Sequence, residues 1–145
     1  MYRFLFVLLL LPLSACSFQC GHDLFKKDFA IERAEFEIAD KGDRSRVDFD
    51  VKVVGVSTKK SGSEYNVDML IEMKAQMPDG SELPLPPETT NEFKNSGKDP
   101  IDFVTFTPYL EFPKSMPRGE YTVEFHITDR IADKKASKTL KVTLE

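Results

Sequence analysis

Cys20, Gly21, His22 and Asp23 bring a thiol, an imidazole and a carboxylate within four residues, the donor types that bind transition metals. Their spacing matches no closed zinc pattern, and the other histidine, His126, stands about a hundred residues away. A flexible tether is the plainer reading. Asp40, Asp43, Asp48 and Asp50 flank Gly42 and offer oxygen ligands of the sort that calcium takes in sets of roughly six to eight. They do not follow the EF-hand loop pattern, and read instead as a solvated hairpin turn followed by outward-facing acids on a strand. Met69, Met73 and Met77 recur every four residues, a thioether stripe of a kind suited to copper. They share parity with Val67 and Ile71, which makes them core. His126 has no serine or cysteine at the spacing of a known hydrolytic triad. Acidic pairs without a cleft to raise one pKa specify no acid–base chemistry. These motifs point to no catalytic residue, metal ligand or cofactor.

The N-terminus is more explicit. Met1-Tyr2-Arg3 carries one basic side chain, Phe4 to Leu13 is an apolar run, and Leu13-Ser14-Ala15-Cys16 closes it. A spanning helix needs roughly 20 apolar residues to cross about 30 Å of hydrocarbon. Half that length, interrupted at Pro12, reads as the apolar region of a cleaved export signal. Leu13-Ser14-Ala15-Cys16 resembles the lipobox of bacterial lipoproteins at every position: a large aliphatic residue, two small ones, then cysteine. The resemblance implies removal of residues 1–15, diacylglyceryl attachment to the Cys16 thiol and, in many bacteria, acylation of the new α-amine. Two or more acyl chains give stable attachment, each buried methylene contributing about 0.8 kcal/mol. Serine, not aspartate, follows Cys16, which by the same resemblance favours the outer membrane. Cleavage by an ordinary signal peptidase would put Leu13 at −3, where a small residue is preferred.

Cleavage leaves 130 of the 145 residues, enough for one domain burying roughly two thirds of its unfolded surface. With Arg3 removed, 19 of the 20 basic side chains face 24 acidic ones, a balance that argues against nucleic acid and against electrostatic adsorption on anionic lipid. Lys26-Lys27, Lys59-Lys60 and Lys134-Lys135 are scattered among acids and read as solvated turns and edges. With Cys16 lipidated, Cys20 has no intrachain partner, so it is a free thiol or an intermolecular bridge, and stability must come from the core.

Residues 16–27 read as a lipidated tether and 28–145 as the folded domain. Within the domain the period is two. Tyr65, Val67, Met69, Ile71, Met73, Ala75 and Met77 alternate with Glu64, Asn66, Asp68, Glu72, Lys74 and Gln76, predicting a long half-buried strand that ends at Pro78-Asp79-Gly80. The competing reading is a helix over 67–77, since Met, Glu, Lys, Ala and Gln are good helix formers. Tyr121, Val123, Phe125 and Ile127 alternate likewise, as do Leu140, Val142 and Leu144, and the loop from Asp129 to Lys135 joins these two runs as an antiparallel hairpin. Phe29 and Ile31 differ in parity from Ala34, Phe36 and Ile38, and the run from Val47 to Val53 shifts near Val54 and Val56. Such shifts predict bulges or a strand changing sheets. Ile101 to Phe112 is apolar and split by Pro108, predicting a bend or an edge.

Glu82 to Pro100 is the least regular stretch of the domain. Leu83-Pro84-Leu85-Pro86-Pro87 favours polyproline II geometry, which either lies along a sheet edge or meets a partner. A long loop in a compact domain is usually functional or disordered, so Leu83, Leu85, Pro86 and Pro87 are the candidate partner contact.

Recurrent strands, turn signals and export point to an antiparallel β-sandwich of about seven strands. Phe112-Pro113, Met116-Pro117-Arg118-Gly119-Glu120-Tyr121 and Thr128-Asp129 resemble the closing strands of bacterial immunoglobulin-like domains. The absence of tryptophan and of a cross-strand cysteine pair separates the chain from antibody-type domains. The expected function is a non-catalytic binding or assembly module of the envelope. It would be held to the membrane through Cys16 and contact another envelope protein or a glycan. The alternative is a periplasmic metal-binding protein or small enzyme using a site that these motifs do not reveal.

Overall fold

The computed structural model describes residues 27–145, so the export segment, Cys16 and the Cys20 to Asp23 cluster lie outside the described residues. The strands are β1 (Ala30–Asp40), β2 (Arg44–Val54), β3 (Lys59–Ser61), β4 (Glu64–Gln76), β5 (Glu82–Leu83), β6 (Thr90–Gly97), β7 (Phe103–Phe106), β8 (Tyr109–Pro113), β9 (Gly119–Asp129) and β10 (Lys134–Leu144), with one 3-10 turn at Pro87–Thr89. All pairings are antiparallel. In the first sheet β2 is central, with β1 on one side and β7 and β8 end to end on the other. The second runs β10, β9, β4, with β6 on the far side of β4, and short β3 and β5 also pairing with β4.

Counting β7 with β8 as one position, and β3 and β5 as extensions, leaves seven strand positions. The result is an antiparallel β-sandwich in which the first two positions and the fifth face the third, fourth, sixth and seventh. Near the start of β9, Tyr121 Oη donates to the carbonyl of Pro117 at 2.7 Å and fixes the corner by which the chain enters the strand.

The core lies between the inward faces that the alternation marks. Along β2, Val47, Phe49, Val51 and Val53 are buried; β4 contributes Val67, Met69, Ile71, Met73 and Ala75, and β9 contributes Tyr121, Val123, Phe125 and Ile127. Phe49 meets Phe125 edge-on across the sandwich at 5.3 Å, and Phe112 meets Tyr121 at 4.9 Å. Such pairs stabilise by about 0.5–1.5 kcal/mol beyond area burial. Residues 67–76 are therefore strand and not helix, and Met69 and Met73 are core, with Met77, just past the end of β4, packed against its margin.

The irregular parities have local causes. Between Ile31 and Arg33 the pairing of β1 with β2 slips by a bulge, which turns Phe29 and Ile31 onto the same side as Phe36. At the end of β2, Gly55 takes φ +67° and redirects the chain out of the sheet. Pro108 divides β7 from β8.

The expectation of an irregular 82–100 stretch needs correction. Residues 90–97 form β6, paired with β4 from Tyr65↔Gly97 to Glu72↔Thr90. Its sequence, Thr-Asn-Glu-Phe-Lys-Asn-Ser-Gly, hides this because an edge strand at the rim of a core needs little apolar surface; only Phe93 reaches it.

Candidate functional site

The four aspartates of the first hairpin do not converge. Asp40 accepts the Gly42 N–H and the Lys114 ammonium, both at 2.8 Å, and these bonds, the lysine's foremost, hold its carboxyl below the usual carboxylate range. Asp43 is engaged by the guanidinium of Arg44, which lowers it likewise. Asp48 meets Arg46 and Asp50 meets Arg33, each at 2.8 Å. Each carboxylate thus has a cation of its own. Among the described residues, no three His, Cys, Asp or Glu side chains are grouped so as to hold a metal ion.

His126 stands on the outer face of the second sheet, in a cross-strand row with Glu72 and Ser137. Together with Lys74, Thr128 and Lys135 they line an open depression of about 320 Å³. The row is not wired as a triad. The carboxylate that meets His126 Nε2 is Glu124, at 3.1 Å and two residues along the same strand.

Leu83, Leu85, Pro86 and Pro87 come out differently from one another. Leu83 pairs with Ala75 through β5, and both leucines are half-buried against the margin of the core. Pro86 is exposed with φ −58° and ψ 148°, the polyproline II geometry expected, and Pro87 is exposed and opens the 3-10 turn. The leucines cap the sheet end; the prolines face solvent.

The first sheet carries a feature that the sequence reading passed over. Phe103 and Tyr109 are 55% and 52% exposed, in β7 and β8. Tyr109 lies opposite Asp48, and Phe103 opposite Val54. Arg46 Cζ sits 4.0 Å from the centroid of the Tyr109 ring, and Lys52 Nζ 5.0 Å from that of Phe103. Each contact of this kind contributes about 0.5–1 kcal/mol at exposed sites. Around the rings run the pairs Arg33–Asp50, Arg44–Glu111 and Lys52–Glu32. The signal was available: Phe103 precedes Val104 and Tyr109 precedes Leu110, and two neighbouring apolar residues on a strand cannot both face inward.

Asp129, legible in the sequence only as part of the turn before the last strand, has a structural role that the pattern does not show. Asp129 is fully buried at the end of β9 and accepts N–H bonds from Ser57 at 2.8 Å, Ile131 at 3.0 Å and Ala132 at 3.3 Å. It ties the crossover after β2 to the β9–β10 hairpin. Asp129→Ala should lower unfolding free energy by about 2–3 kcal/mol, because buried donors lose a charged acceptor. A urea midpoint unchanged from wild type would show that these bonds carry no net stability.

No protein-family model and no curated protein matches the chain. Among solved structures, a calcium-binding mutant of Bacteroides uniformis β-glucuronidase 2 is similar over 80% of this chain, at 10% identity and a TM-score of 0.47. The match covers 14% of the length of that protein.

Proposed function

We propose that the protein is an envelope lipoprotein of the bacterial outer membrane, anchored through Cys16, whose immunoglobulin-like domain works by contact with another envelope protein and not by catalysis. The observation that carries the contact reading is the outer face of the first sheet, where Phe103 and Tyr109 stand exposed beside Lys52 and Arg46. Tyrosine and arginine are over-represented among residues that dominate protein–protein affinity, and phenylalanine is enriched in interfaces generally. Half-exposed rings on a strand add little to the fold, so their surface is free for a partner. The anchoring reading is supported by the Leu13 to Cys16 pattern.

Two variants test the two parts separately. Cys16→Ser should release the protein from membranes or leave an unprocessed precursor; a processed, membrane-retained protein contradicts anchoring. Phe103→Ala combined with Tyr109→Ala should leave the melting temperature within a few degrees of wild type and abolish chemical crosslinking to the partner in intact envelopes. Undiminished crosslinking removes this face from the contact.

A further inference from the structure

β6 is the outer strand of its sheet; among the described residues it pairs with β4 alone. Such an edge offers backbone donors and acceptors to another strand unless something blocks it. The other edges are blocked. β1 carries a bulge and a run of charges, the edge formed by β7 and β8 is interrupted at Pro108, and β10 bears Lys134, Lys135, Lys138 and Lys141. β6 has no bulge and no internal proline, and its charged residues are Glu92 and Lys94.

Its sequence is symmetric in chemistry about Phe93. Glu92 and Lys94 flank it as acid and base, Asn91 and Asn95 as two amides, and Thr90 and Ser96 as two hydroxyls. Two copies of the strand laid antiparallel about a two-fold axis through Phe93 therefore place each residue against its complement. We infer that the protein pairs with a second copy of itself through β6, joining the two β10–β9–β4–β6 sheets into one.

The backbone parity agrees with that register. On an antiparallel strand alternate residues turn their N–H and C=O groups toward opposite neighbours. The Ser96 N–H, bonded to Oδ1 of Asn95 at 2.8 Å, places the even-numbered residues in the outward set. Glu92 and Lys94 belong to it, and they are the residues that the two-fold sets opposite each other. The Thr90 N–H is already held by the Pro87 carbonyl, so the new ladder is short and centred on these two. Phe93 would meet its mate as a non-hydrogen-bonded pair, the closer of the two antiparallel geometries. It is half-buried at the rim of the core, and the mate covers its remaining surface. Glu92 already binds Arg130 at 2.8 Å and lies 3.4 Å from Lys94 of its own chain, so the dimer extends an existing charge network across the axis.

Sedimentation equilibrium of the full chain in detergent micelles tests this. The wild type should self-associate. Glu92→Lys and Lys94→Glu each set like charges opposite one another on both sides of the axis, and each should weaken association roughly tenfold or more. An equimolar mixture of the two variants should recover it, since every cross-strand pair is then one acid and one base. Lys94→Glu leaves the Glu92–Arg130 contact in place, and an unchanged melt separates lost pairing from lost folding. A monomeric wild type, undiminished association of both variants, or a mixture no tighter than its components overturns the inference.

Discussion

Ile71→Asp is expected to abolish the folded state. Ile71 lies in the middle of β4, between Asn91 on β6 and Ile127 on β9, with its side chain 6% exposed. The substitution removes an apolar side chain whose burial is worth about 1.5–3 kcal/mol. It also puts a carboxylate among Val, Met and Phe side chains, at a cost of several kcal/mol for an unpaired charge. A domain of this size is stable by roughly 5–15 kcal/mol, so the sum consumes most or all of it. The neighbour makes the control. Glu72 points from the outer face, and Glu72→Ala should change stability by no more than about 0.5 kcal/mol. Near-ultraviolet circular dichroism through a thermal ramp checks both. A cooperative Ile71→Asp transition close to that of wild type would contradict the inward parity of β4.

Gly55→Ala should produce the second largest loss, about 3 kcal/mol or more. Gly55 combines two demands. Its φ of +67° is one that side chains rarely adopt, and an added Cβ would lie 2.4 Å from the Lys27 carbonyl oxygen and 2.5 Å from the Asp28 carbonyl carbon. Both obstacles are backbone, so the entry segment must lift off the end of β2. That segment is also held by charge: Lys27 and Lys52 bond Glu32 and hold its carboxyl down to about 2. The folded carboxyl ionises below its unfolded value near 4.5, so this contribution is complete above about pH 4.5 and is lost as pH falls toward 2. Gly80→Ala is the comparison. Its φ is +84° with nothing within 4 Å of the added Cβ, so it should cost about 1 kcal/mol from backbone strain alone. Equal urea midpoints for the two variants would show that the contact with Lys27 and Asp28 carries no weight.

What was legible in the sequence follows from where each strand sits. β4 and β9 read cleanly because one face of each is core and the other solvent, which is the condition for strict alternation. β6 was unreadable because a rim strand contributes Phe93 and little else. The bulge in β1 shows as a parity fault, and the break between β7 and β8 as the proline at 108. Surface function is harder to read. Phe103 and Tyr109 were absorbed into an apolar run, although their position beside Val104 and Leu110 forces them outward. Leu83 and Leu85, set among prolines, have no alternation to say which way they face, and packing decides it. Asp129 shows locally only as an acidic turn residue; its burial and its bond to Ser57, 72 residues away in the chain, are brought about by the fold alone.

Photo-crosslinking from position 109 in intact cells is the most direct test of a contact function for the exposed aromatic face. A photoreactive residue in place of Tyr109 should give one discrete adduct with another envelope protein, whereas the same residue in place of Thr139, exposed on the outer face of the second sheet, should give none. Adducts of equal yield from both positions, or none from position 109 in membrane-bound protein, would contradict it.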